Sequence, residues 1–221
     1  MDTAFIEIWH SWIALLTHSI LFFSSYFDIS EAMAIIALTL ITRITLMPIA
    51  LSTAYRTEIN KQKISRIKTE TDALKLQYKG KPAQLIAATR QLYRTNGIRL
   101  IDRLSIFNLS CRGVSSYGLF QALSKAGFSS KFLWISSLAK PEVLLTLLVG
   151  ALMFISMAIM PGATSEPSTL IMLGLAVIVT IIAIAALPSA IAIYWATSNT
   201  VSIIQGLLLR GLLSRQKYRA I

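Results

Sequence analysis

Two arginines, Arg43 and Arg112, stand inside stretches of about twenty residues that are otherwise uncharged. Each carries a permanent positive charge and a planar fork of five donors, suited to holding a carboxylate or phosphate and unsuited to moving protons. Wound as a helix, the first stretch gathers Thr39, Thr42 and Arg43 within about a third of its circumference. The second puts Ser105, Asn108, Arg112, Ser115 and Ser116 on one face, and a third stretch carries Tyr194, Thr197, Ser198, Ser202 and Gln205 as a polar stripe. An arginine at mid-bilayer depth costs roughly 2.5–3.5 kcal/mol on insertion scales, so such faces need water or protein beside them. Arg43 could instead snorkel to the nearer interface or pair with a neighbouring span, and small hydroxyl residues often serve only to let helices approach. The stretches hold no Asp or Glu that could neutralise the two arginines internally. An incoming acidic group, a lipid phosphate or water is left as their partner.

These residues do not suggest an enzyme. The apolar stretches hold no paired carboxylates and no serine with a base, and the polar part of the chain has no glycine-rich phosphate loop. His10 and His18, eight apart and without carboxylate company, make a poor metal site. Cys111 is the only cysteine, which excludes an intrachain disulfide and reads as a small core residue. No catalytic residue, metal or cofactor is expected.

The elements that position the arginines follow from composition. Of 221 residues 55% are hydrophobic and 14% charged, with a mean hydropathy of +0.65, which excludes an ordinary soluble domain and indicates a polytopic membrane protein. The net charge of +11 could suggest nucleic acid. The basic residues avoid the apolar stretches, however, and concentrate in one loop and one tail, as membrane topology requires; no specific nucleic-acid sequence is expected as a partner.

The expected fold is an all-α membrane protein with five transmembrane helices, an N-terminal interfacial helix and a cytoplasmic helical hairpin. Residues 1–30 form an amphipathic helix on the outer surface, because Trp9 to Phe27 is interrupted by His10, His18 and several serines. No secretory signal stands out there, since Asp2 and Glu7 replace a basic start. Asp28, Ile29 and Ser30 cap the first span, residues 31–54, which Pro48 should kink. Residues 55–103 reverse the character, with twelve Lys and Arg against four acids. Ile64, Ile67, Thr71, Leu74 and Tyr78 make a helical seam, Lys79-Gly80-Lys81-Pro82 breaks it, and Leu85, Ala88 and Leu92 resume it. That describes a basic hairpin, whose charges either are a solvated face or attract anionic headgroups and ribosomal RNA.

The second span is 104–124, followed by an outer loop, 125–141, with Phe128, Phe132 and Trp134 suited to the interface. Spans at 142–160 and 169–187 flank a turn at 161–168; Pro188 opens the fifth, 188–209, and residues 210–221 form a basic tail. Twelve and four basic residues then fall on inner segments against three on outer ones, Lys125, Lys131 and Lys140. The positive-inside rule puts the hairpin and tail in the cytoplasm and the amino terminus outside. With polar faces on the first, second and fifth spans only, turning those faces together gives a hydrated, positively charged cavity.

In this order and spacing the features resemble the YidC/Oxa family of membrane protein insertases, over nearly the whole chain from about Trp9. Ala34 to Pro48, AIIALTLITRITLMP, is similar to that family's arginine-bearing first core span. The hairpin ending Leu92-Tyr93-Arg94-Thr95-Asn96-Gly97 resembles its cytoplasmic coiled hairpin, and Phe132-Leu133-Trp134-Ile135 with Leu138-Ala139-Lys140-Pro141 its external loop. Leu187 to Gln205, LPSAIAIYWATSNTVSIIQ, is similar to its last span and adds Trp195 to the candidate groove residues.

The resemblance implies a five-span core in the bacterial cytoplasmic (inner) membrane, with a groove open to cytoplasm and lipid and closed outside. It implies a role for Arg43 as receiver of the hydrophilic, often acidic, outer segment of a substrate whose apolar helix slides into lipid. Nascent membrane proteins and membrane lipids are the implied partners, with the Sec translocon and the ribosome as further candidates. The second span departs from the family pattern: Arg99-Leu100-Ile101-Asp102 and Cys111-Arg112-Gly113-Val114 stand where it has Asn-Pro-Leu-Gly and Gln-Met-Pro. Matching back from Leu119-Phe120-Gln121-Ala122-Leu123 puts Arg112 at the groove glutamine and implies a groove more positive than usual. The family's large outer domain and long basic tail are not expected here. Other readings of the same cavity are a channel, an anion or lipid transporter, or a partner-binding subunit without insertion activity.

Overall fold

A computed structural model describes residues 3–98, 103–160 and 167–219. Arg99-Leu100-Ile101-Asp102 and most of the expected turn at 161–168 lie outside the described residues. Eight helices follow one another: α1 (Thr3–Tyr26), α2 (Glu31–Arg66), α3 (Lys68–Gln77), α4 (Pro82–Thr95), α5 (Arg103–Lys125), α6 (Val143–Ile159), α7 (Pro167–Ile184) and α8 (Ser189–Arg219). Among the described residues there is no strand, only an isolated bridge between Phe132 and Ile135. The chain divides into two compact units, Met1–Pro48 with Ser110–Ile221, and Ile49–Leu109.

In the first unit α1 buries Ile13, Leu16 and Ile20, one stripe at helical spacing. It packs on α5 where Gly118 leaves room: a Cβ there would stand 2.5 Å from Trp12 Nε1 and 3.0 Å from Leu16 Cδ1. Trp9 stacks on Tyr117 with ring centroids 5.4 Å apart, and its indole N–H donates to Gln121 Oε1 at 3.0 Å. Among the described residues α1, at 24 residues, is one of two helices long and apolar enough to cross a membrane, the other being α2; α6 and residues Ile171–Ile184 of α7 are shorter apolar helices.

Ser30 caps α2 as expected, accepting from the Met33 amide at 3.3 Å. Asp28, at φ +51, makes the preceding turn, a left-handed conformation that Asp tolerates better than most residues. The composition change at Tyr55 does not end the helix: α2 runs unbroken to Arg66, 36 residues in all. Pro48 sits inside it and withholds the amide that would bond the Ile44 carbonyl one turn back. Likewise α8 continues past residue 209 to Arg219. In both cases the hydropathy boundary is not the helix boundary, because Lys, Arg and Gln favour helix as well as Leu does.

The loop between α5 and α6 ties together the starts of three helices. Ser130 N–H donates to Glu31 Oε2 of α2 at 3.1 Å. Glu142 caps α6, accepting from the amides of Leu144 and Leu145 and from Trp134 Nε1. The start of α8 is held by Ser189 N–H and Oγ on the Lys140 carbonyl, at 3.0 and 2.6 Å, and by Ala190 N–H on Leu138. Within the loop Phe132 and Ile135 exchange backbone hydrogen bonds of 3.0 and 2.8 Å around Leu133, which sits at φ +51. The closest helix packing is of α6 with α8 and with α7, and Gly150 and Gly206 of α6 and α8 face Ile181 and Ile159 there. At the other end of α6 Arg210 donates to the Ala158 carbonyl at 3.0 Å, satisfying one of its open acceptors.

In the second unit α3 and α4 pack on each other across a turn at 78–81, where Gly80 takes φ +81 and Pro82 occupies the first turn of α4. Ile67 is buried and Ile64, Thr71, Leu74, Tyr78, Leu85, Ala88 and Leu92 are half-buried, while most of their neighbours are exposed. Asp72 and Lys75 pair at 2.8 Å on the surface. The hydrogen bond from Lys75, then its charge, holds the Asp72 carboxyl below its usual range. α4 ends in a Schellman motif: Gly97 at φ +62 donates to Arg94, and Ile98 donates to Tyr93 at 2.8 Å. Lys63 of α2 reaches the Gly97 carbonyl at 3.2 Å.

Candidate functional site

Arg43 follows the start of α2 by twelve residues, and Arg112 precedes the end of α5 by thirteen. At 1.5 Å per residue each lies about 18–20 Å from the helix end held by the α5–α6 loop. Ser198 and Ser202 lie nine and thirteen residues into α8, about 14 and 20 Å from the same end. Arg43 Nη2 donates to Ser198 Oγ, and Arg112 Nη2 to Ser202 Oγ at 3.4 Å. Two arginines from different helices thus meet adjacent turns of one face of a third.

The pair is otherwise lightly satisfied. Tyr194, buried one turn before Ser198, is a neighbour of both guanidinium groups and near enough to Arg43 for a side-chain hydrogen bond. Arg112 is a charged neighbour of Arg43, and among the described residues no carboxylate is one of the charges near either. Ser202 Oγ donates in turn to the Ser198 carbonyl at 3.0 Å. Both arginines are half-buried. Such an arrangement offers guanidinium donors to an acidic group.

The remaining predicted site residues divide. Thr39 is buried and its hydroxyl donates to Ile35, and half-buried Thr42 donates to Leu38. Both threonines therefore satisfy their polarity within α2. Ser115 and Ser116 are half-buried on α5, Trp195 packs against the hydrophobic core and Gln205 is buried on α8. Asn108 belongs to the other unit, where it donates to Thr53 at 3.2 Å. Ser202 was visible in the stripe on α8, but nothing local marks it as the acceptor for an arginine ninety residues away. Ser156 of α6, in a span with no polar face in the sequence reading, donates to Asn199 Oδ1 of α8 at 3.4 Å.

An all-helical membrane protein with two half-buried arginines resting on serine hydroxyls is the class these features define. Residues 22–216 match the 60Kd inner membrane protein family. The chain belongs to that family, the YidC/Oxa group that its sequence resembles. Among its relatives is the membrane protein insertase YidC of Helicobacter pylori (strain 26695), 28% identical over 196 residues, which are 83% of this chain and 34% of that protein. Membrane protein insertase YidC 2 of Streptococcus pneumoniae (strain TIGR4) is 29% identical over 90% of this chain and 73% of its own length. YidC of Clostridium tetani is 29% identical over 86% of each. The chain thus spans about a third of the length of the Helicobacter relative and most of the other two.

Proposed function

We propose that this protein inserts small membrane proteins and assists their folding, through a positively charged groove open to cytoplasm and lipid. The observation that carries this reading is the pair Arg43 and Arg112, bonded to Ser198 and Ser202 about 18–20 Å from the helix ends that the α5–α6 loop holds, with no carboxylate beside them among the described residues. A half-hydrated cationic groove lowers the barrier for a polar segment leaving the cytoplasm. Burial of the substrate's apolar helix in lipid drives the step, so no nucleotide is required. Nascent membrane proteins are the substrates and lipids the surrounding solvent. The Sec translocon and the ribosome are partners of the same reading.

The topology that goes with it has five spans, built on α2, α5, α6, α7 and α8, in the bacterial inner membrane, with the amino terminus outside and the α3–α4 hairpin and the tail in the cytoplasm. α1 lies along the outer surface. What supports that last assignment is a distance: Trp9 precedes the end of α1 by seventeen residues, about 25 Å along the helix. Its partner Gln121 is only four residues, about 6 Å, from the loop-side end of α5. A helix crossing the bilayer beside α5 would carry Trp9 to the opposite end.

The test uses liposomes containing the purified protein and a single-span substrate with an acidic outer tail, read by protection of the tail from added protease. Arg43→Gln is expected to lower insertion about tenfold, the loss of one charge-assisted contact, and to leave a neutral-tailed substrate nearly unchanged. Equal insertion of the acidic substrate by both proteins overturns the groove reading. Ion flux without insertion would point to a channel instead.

A further inference from the structure

Resting on the insertase reading, we infer that the groove is built to receive two carboxylates at once, about one helical turn apart, and that Arg112 sets this preference. Arg43 and Arg112 arrive from different helices, yet their partners Ser198 and Ser202 are four residues apart on α8. Side chains so placed are neighbours at about 5–6 Å. Two guanidinium groups bonded to hydroxyls at that spacing bring two sets of donors close together, with no acid beside either among the described residues.

One carboxylate entering such a site satisfies one arginine and leaves the other uncompensated at mid-membrane depth, where an unpaired charge is expensive. Two carboxylates at matching separation satisfy both and remove the repulsion between them. Acids four apart on a helix meet the separation, as do acids two apart on an extended segment, at about 6.7 Å. A pair ten residues apart does not. The preferred substrate is therefore a membrane protein whose outer segment carries closely spaced acids. The anchors make the site specific in spacing as well as in sign. Were Arg112 merely a structural filler of α5, substrate acid spacing would not matter.

The experiment compares four single-span substrates in the same liposomes: one with a neutral tail, one with a single Glu, one with two Glu four residues apart and one with two Glu ten apart. The natural protein is expected to insert the close pair about tenfold better than the single Glu or the distant pair, the factor one further charge-assisted hydrogen bond is worth. Arg112→Gln is expected to erase that advantage, so that the close pair is inserted no better than the single Glu or the distant pair, and Arg112→Lys, which keeps the charge without the fork, to restore part of it. A close-pair advantage that survives Arg112→Gln, or that is equal for close and distant pairs, overturns the inference. Failure of the natural protein to insert even the single-Glu substrate overturns the insertase reading and this inference together. Thermal unfolding and gel filtration of the purified variants in detergent separate a lost preference from a lost fold.

Discussion

Replacing Gly150 of α6 by alanine should loosen the helix packing behind the arginine site by an amount that can be isolated from helix propensity. A Cβ at Gly150 would stand 2.5 Å from Ile181 Cδ1 and 2.7 Å from Ile181 Cγ1. Carbon contacts are comfortable at roughly 3.5–4.0 Å, so Ile181 must retreat by about 1 Å at two atoms. A χ2 change moves only the terminal methyl, while moving Cγ1 takes a χ1 change, which in a helix leaves the one rotamer that isoleucine strongly prefers. The helices therefore separate or Ile181 is driven off-rotamer, an overpacking cost of about 1–3 kcal/mol. Gly→Ala also favours helix by up to about 1 kcal/mol, which obscures the effect in a single variant. Gly113 of α5 supplies the reference, since a Cβ there meets nothing within 4 Å. The propensity gain is common to both substitutions and cancels, so the difference between Gly150→Ala and Gly113→Ala reports the packing alone. Thermal unfolding of detergent-solubilised protein should place Gly150→Ala below Gly113→Ala by about 1–3 kcal/mol. Equal or reversed stabilities would refute the reasoning, because the close approach of α6 and α7 would then be neither tight nor needed.

Two further substitutions test the helix ends. Gly97→Ala forces an alanine to φ +62 and should cost about 1 kcal/mol; it is checked by faster amide exchange at Ile98, whose N–H closes the Schellman turn on Tyr93. Glu142→Ala uncaps α6 and frees the Trp134 indole, so the melting temperature should fall and Trp134 emission should change, whereas Glu142→Asp should retain most of both.

What the sequence made legible was whatever is local or periodic. The Ser30 cap, the turn at Gly80 and the seam from Ile64 to Leu92 are set by neighbours within a few residues, and each appears where its pattern put it. Arg43 and Arg112 stood out because their type conflicts with their surroundings. Their partners did not, since the matches to Ser198 and Ser202 bridge 155 and 90 residues and depend on how three helices are arranged. Thr39 and Thr42 share the arc of Arg43, and each turns its hydroxyl to its own backbone, a local bond that a helical wheel does not display. Asn108 shared a face with Arg112 and was counted with it, but it bonds to Thr53 in the other unit. The spans read at 31–54 and 188–209 do not mark helix ends, because hydropathy marks where lipid stops, while helix persists through Lys, Arg and Gln to Arg66 and Arg219.

A site whose cations rest on neutral hydroxyls resets by itself. A bond from guanidinium to serine is weaker than one to carboxylate, so an arriving acid can take the arginine without first breaking an ion pair, and a departing acid leaves a partner already in place. Neither exchange calls for a conformational switch or a proton, because arginine keeps its charge throughout. On the proposed insertase reading, the cycle time would then be decided by how fast the cargo leaves sideways into lipid, and a second cargo could begin where the first one ended.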